Sequence, residues 1–209
     1  MKSGKIKLLD ASRECFAAQG FEGASLRRIA ELCGIQKPSI YAHFRSKEDL
    51  FLKVLARSVQ QARRSMKRYY AAHRRQPLEL RLKGLLEMLL EQYRHNQDLK
   101  FLLRTCYFPP QSLYREVLAA AYPFLDELEL RLTAIFRVEM EECPLIGPQQ
   151  AAAAFMALAD GVLVDTLYDY PERSVRRLEL AWPVFWRGIS GKDGSMNNTH
   201  LEQQRSLEE

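Results

Sequence analysis

Apolar residues recur along this chain at three- and four-residue intervals, in stretches broken by glycine or proline. That is the period of an α-helix with one buried face. Leu8, Ala11, Ser12 and Cys15, with Leu9 and Phe16, predict a first helix from about Ser3 to Gln19. Gly20 closes it as a left-handed C-terminal residue, and Phe21 packs back. Ser25 reads as the N-cap of a second helix of about eight residues, whose buried stripe is Leu26, Ile29, Ala30 and Cys33. Gly34 stops it and Ile35 re-enters the core. A third helix opens at Gln36 or Lys37. Pro38 falls in its first turn, where a missing N–H costs nothing, and Ile40 and Phe44 face inward. Ser46 caps a fourth helix with Asp49 as its capping-box partner. The helical pattern then runs on to Arg75, ahead of Pro77.

Beyond Pro77 the pattern predicts helices at about 78–95, 97–106, 111–120, 122–142, 148–169 and 171–190, punctuated by Pro109-Pro110, Pro123, Pro144, Gly147-Pro148 and Pro171. Residues 191–209 lack periodicity and read as a disordered tail. No internal repeat is present. The fold class is therefore all-α: an N-terminal three-helix domain over 1–50, then a helical bundle of about six helices over 51–190. At 209 residues and 47% hydrophobic, the chain can bury a real core.

Charge adds a direction. The net charge is +5, but residues 1–104 carry 22 Lys/Arg against 10 Asp/Glu, and residues 105–209 carry 9 against 16. One half suits a polyanion and the other does not, although clustering on solvated faces gives the same count. The basic stretch Arg63–Arg75 fits a solvated helix face, with a calmodulin-like or membrane-surface helix as the sharper alternative. Cys15, Cys33, Cys106 and Cys143 form no C-x-x-C and no zinc spacing, and read as buried free thiols. Charges run through the first apolar segment, so no signal peptide is expected there. No apolar run is read as a membrane span. A cytoplasmic protein with no membrane partner is expected. No nucleotide-binding, esterase or metalloprotease motif occurs. Glu139, Glu141 and Glu142 read as a solvated helix end, and His43, His73, His95 and His200 are scattered. No enzyme, metal or cofactor is expected.

The second helix, the Gly34 turn and the third helix form a helix-turn-helix, although short bundles share that pattern. In this motif the second helix enters the major groove, so only its first turn must carry donors. Gln36, Lys37 and Ser39 supply them. Residues 8–51, LLDASRECFAAQGFEGASLRRIAELCGIQKPSIYAHFRSKEDLF, resemble the N-terminal domain of the tetracycline-repressor (TetR) family. The resemblance implies a phosphate contact at Ser25, groove contacts at Lys37 and its neighbours, and backbone contacts at Tyr41, His43 and Lys47. Three positions depart from the pattern. Gln36 replaces a small hydroxyl and can read adenine. Pro38 replaces a common glycine, and Ala42 stands where an aromatic is frequent. Arg27 and Arg28 fit either phosphate contacts or solvated surface.

The resemblance also implies that the bundle dimerises and binds a small effector, so double-stranded operator DNA, a second copy and an effector are the expected partners. Repression is the family's default. Ala154, Leu158, Gly161, Val162 and Asp165, with Leu178, Trp182, Phe185 and Trp186, read as a dimer face or as an ordinary monomer core. Pocket candidates are Met88, Tyr93, Phe101, Arg104, Cys106, Tyr107, Phe108, Tyr122, Phe155, Met156 and Asp160. Arg104 and Asp160 stand out, because a charge in an apolar helix needs a partner. Each could pair with the other or meet a ligand of opposite sign. A regulator without a small ligand, controlled by a protein partner, is the alternative; a filled core would favour it.

Overall fold

The computed structural model describes residues 4–140, 146–168 and 170–190. The expected tail at 191–209, Cys143, Pro144, Glu141, Glu142 and His200 lie outside the described residues. Among the described residues there is no strand. The elements are α1 Gly4–Gly23, α2 Leu26–Cys33, α3 Lys37–Tyr41, α4 Lys47–His73, α5 Leu78–Tyr93 and α6 Gln97–Tyr107. After a 3₁₀ turn, Gln111–Leu113, come α7 Tyr114–Glu139 and α8 Pro148–Val164. A second 3₁₀ turn, Asp165–Tyr168, leads to α9 Pro171–Ser190. Gly20, at φ 72°, breaks α1 internally.

Local signals account for the first four helices. The Ser25 hydroxyl accepts the Arg28 N–H at 3.1 Å. Gly34, at φ 68°, takes the left-handed conformation that ends α2, and the Ile35 N–H returns to the Ala30 carbonyl at 3.0 Å. This turn points Ile35 outward, 36% exposed, so it does not rejoin the core; Cys33 is only half-buried. Ser46 accepts the Asp49 N–H at 3.2 Å. The reciprocal bond of a capping box is displaced by one residue, because the Asp49 carboxylate accepts from the Arg45 N–H instead, at 3.0 Å.

The bundle corrects the expectation at Pro123. One helix, α7, runs through it where two were expected. The proline ring is exposed, while Ala121 and Phe124 on either side are buried. Packing of the flanking residues outweighs one lost backbone bond. The stretch Pro148–Tyr168 also departs from expectation, since by length and composition alone it could cross a membrane. Here its Ala151, Ala152, Phe155, Val162 and Leu163 are buried in the bundle. Glu139 is not free in solvent but meets the buried Arg81 at 2.6 Å.

The two halves share a core. Phe51 of α4 meets Phe16 at 5.0 Å, Phe21 at 5.2 Å and Phe101 of α6 at 5.3 Å, centroid to centroid. The Arg13 guanidinium of α1 reaches Asp98 of α6 at 2.8 Å. The other Asp98 oxygen accepts the Ser58 hydroxyl at 2.7 Å.

Candidate nucleic-acid interface and the cavity behind it

The short α3 is held by what it buries and presents what it does not. Ile40 and Phe44 are buried, whereas Gln36, Lys37, Pro38, Ser39, Tyr41, Ala42 and His43 are all exposed. Gln36 is the N-cap by position, yet its side chain makes no capping bond, which leaves the amide to face outward. Five residues cannot hold a helix alone. Burial of Ile40 and Phe44 and the caps on both sides fix it.

Cations surround this face. Lys47 is half-buried, with its ammonium 4.5 Å from the Phe21 ring centroid and 3.4 Å from the Glu22 carbonyl. Ring and carbonyl hold it where α4 begins, at the free N–H groups of that helix. Arg27 and Arg28 both lean on Glu31, at 3.1 and 3.7 Å, so α2 offers less net charge than its sequence suggests. Two cations were missed in the sequence reading. Lys5 lies 5.7 Å from the Phe44 ring, and Arg45 is exposed between α3 and α4. Their signal was plain in the sequence: basic residues flanking the helix-turn-helix.

The tetR-family model of bacterial regulatory proteins matches residues 8–54. Residues 8–54 form a tetR-family domain. The chain's N-terminal helices carry the DNA-binding helix-turn-helix of that family. The transcriptional repressor AcnR of Corynebacterium glutamicum is 47% identical over 50 residues, 24% of this chain and 27% of that protein. The transcriptional regulator YerO of Bacillus subtilis is 30% identical over 112 residues, 54% of this chain and 39% of that protein. The chain thus spans about a quarter to two fifths of the length of these curated relatives. The fold is shared with a transcriptional regulator of Rhodococcus sp. Rha1, at TM-score 0.68 and 20% identity over 90% of this chain and 98% of that one. It is shared too with FadR of Bacillus subtilis, solved with stearoyl-CoA, at TM-score 0.62 and 17% identity over 90% and 99%.

Behind the TetR-type head lies a cavity of about 260 Å³ between α4, α5, α6, α7 and α8. Six of the eleven pocket candidates line it: Cys106, Tyr107, Tyr122, Phe155, Met156 and Asp160. The other five do not. Phe101 is fully buried beside Phe16 and Phe51. Met88 packs on the core from the side. Tyr93 faces a separate surface pocket, with the Lys100 ammonium 5.7 Å from its ring. Phe108 is exposed against Tyr168. Arg104 turns outward over Gly20, where an added β-carbon would sit 3.4 Å from its guanidinium. It therefore neither pairs with Asp160 nor lines the cavity. Sequence reading missed Tyr70 and most of the leucines on the wall, because one apolar helical residue resembles another until the partner helix is known.

The Tyr107 hydroxyl donates to the Asp160 carboxylate at 3.1 Å and lies 3.2 Å from the Asp160 carbonyl. Burial, then the Asp160 charge and this hydrogen bond, raise the Tyr107 phenol. Burial first, and Asp160 second, push the Cys106 thiol up to about 11. Burial pushes Tyr70 up to about 12. Among the described residues, no group of three or more His, Cys, Asp or Glu gathers as a metal site would require.

The predicted dimer residues divide. Val162, Leu178 and Trp182 are buried within the single chain. Trp182 reaches Glu79 at 3.3 Å, and Phe185 packs on Phe155 at 5.8 Å. Trp186 stacks on Trp182 at 6.1 Å. Asp165 pairs with Arg177 of its own chain at 2.9 Å. Ala154 is exposed, and Leu158 and Gly161 are half-exposed. Leu180 and Val184, 65% and 73% exposed, form a second apolar stripe on α9 that points away from the chain.

Proposed function

We propose that this chain is a transcriptional repressor that binds a palindromic operator as a homodimer and releases it on binding a small molecule. The observation that carries the reading is α3, anchored by a buried Ile40 while every side chain of its first turn stands exposed. Gln36, Lys37 and Ser39 read base edges, and Pro38 shapes their approach. Ser25, Tyr41, His43 and Lys47 hold phosphates, with Arg27 and Arg28 adding charge. The unit responsible is residues 1–50, and residues 51–190 bind the effector and the second copy.

The small-residue face of α8, at Ala153, Ala154, Ala157 and Gly161, supports a homodimer through a four-helix contact with Leu180 and Val184 of α9. That contact covers apolar surface which one chain leaves open. An apolar cavity with a few polar groups supports a small-molecule effector over a protein partner. The effector acts by differential affinity for the arrangement that cannot hold DNA. Such a protein works in the cytoplasm, beside the chromosome.

The test is recovery of bound fragments from genomic DNA at fixed salt, with Lys37→Ala/Tyr41→Ala protein as control. A shared inverted repeat that the control loses is the expected result. No enrichment over the control, after unfolding and refolding to strip bound inducer, refutes the proposal.

A further inference from the structure

Twenty-four residues line the cavity, and none is Lys, Arg or His. Asp160 is the one carboxylate among them. Asp160 is exposed and stands beside Tyr107 and Cys106 of α6, while the rest of the wall includes leucines, Met66, Phe124, Phe155 and Tyr70 of α4. Building on the effector reading above, we infer that the effector is an apolar molecule carrying a positive charge at one end, which Asp160 receives.

Three observations carry this. First, Asp160 accepts only from a neutral phenol, Tyr107, and among the described residues no cation pairs with it. Arg177, which reaches the same turn of α8, is committed to Asp165 and to the Gly161 carbonyl, both at 2.9 Å. Second, the cations at the Tyr70 end lie behind the wall and already face carboxylates. Arg63 and Arg131 face Glu127, at 2.9 and 3.7 Å, and Arg81 faces Glu139 at 2.6 Å. An anionic headgroup finds no free cation there among the described residues, and at the other end it meets a like charge. Third, Cys106 and Tyr107 both feel the Asp160 charge, which disfavours their ionisation. The field at that end of the cavity is negative.

The test uses three probes with one chain length and different heads: decyltrimethylammonium, 1-decanol and decanoate, each below its micelle concentration. Binding to the full chain and to Asp160→Asn is measured by titration calorimetry. The wild type is expected to bind the ammonium at least about tenfold more tightly than the carboxylate. That factor combines one partly exposed ion pair gained with one repulsion avoided. The Asn variant is expected to lose the preference. Equal or tighter decanoate binding, or a preference that survives in Asp160→Asn, overturns the inference and leaves the effector reading standing. Failure of all three probes to bind folded protein overturns both. If Asp160→Asn does not fold, salt replaces it: the wild-type preference narrows as salt rises, and a preference indifferent to salt overturns the inference.

Discussion

The Arg13–Asp98 contact between α1 and α6 can be weighed in advance. The Asp98 side chain is 20% exposed and that of Arg13 17%. Asp98 accepts two short bonds, from Arg13 at 2.8 Å and from Ser58 at 2.7 Å. It also stands in the first turn of α6 behind the Asn96 N-cap, where a negative charge is favoured. Each charge-assisted bond in a dry site contributes roughly 1.5–3 kcal/mol, and partial exposure reduces that. Asp98→Ala is therefore expected to destabilise the chain by about 2 kcal/mol. Arg13 retains weaker carboxylates, Asp10 at 3.7 Å and Glu14 at 3.9 Å, so Arg13→Ala also loses those. The informative quantity is the coupling in an Arg13→Ala/Asp98→Ala cycle, expected at about 1 kcal/mol. Urea unfolding followed by far-UV circular dichroism at low salt measures it, with unchanged m-values as the control. A coupling under about 0.3 kcal/mol, within ordinary additivity error, refutes the claim that this pair ties the two helices.

Three further outcomes are expected. Gly84 lies so close to Tyr69 that a β-carbon would sit 2.9 Å from the phenol oxygen, which is itself held by the Arg81 carbonyl at 2.8 Å. Gly84→Ala should destabilise the wild type, yet stabilise a Tyr69→Phe background by up to ~1 kcal/mol through helix propensity; the same sign in both backgrounds, by thermal melting, rejects the steric argument. Cys106, pushed up to about 11, should alkylate at pH 8 about 100-fold more slowly than a thiol near its ordinary value, since the thiolate is the nucleophile; its rate should climb with pH toward 11, and mass spectrometry of iodoacetamide-treated protein reads it. Leu180→Lys/Val184→Lys alters only exposed side chains, so the fold should survive while the sedimenting species falls from dimer to monomer; a persistent dimer places the interface elsewhere.

The head was legible because its signals are local. Ser25, Gly34, Pro38 and Ser46 each act on backbone within four residues, so the sequence alone locates the caps and the short α3 between them. The bundle was less so, because periodicity shows that a helix has an apolar stripe without showing which neighbour covers it. Helix α9 has two stripes. Leu178, Trp182 and Phe185, read from their size as a dimer face, face inward, and Leu180 and Val184 face outward. On α6 the same ambiguity put Phe101 and Arg104 in the cavity, when both belong to the side that meets the head. Proline misled at position 123, where an exposed ring leaves the buried face of α7 intact.

Helix α6 gives the proposed effector response a physical route from the cavity to the head. Asp98, Phe101 and Arg104 recur every three residues and meet Arg13, Phe16 and Gly20 of α1 in the same order. Leu99, Leu102, Leu103, Cys106 and Tyr107 of the same eleven-residue helix line the cavity. A helix this short moves as a rigid body, so side chains on its two faces cannot be displaced independently. Helix α4 repeats the arrangement over a greater length, with Lys47 at the head and Met66 and Tyr70 in the cavity wall. A molecule that fits the cavity only when α6 shifts must carry the α1 contacts with it. In the proposed regulator, that shift changes the angle at which α3 is offered to DNA, without touching a residue of α3.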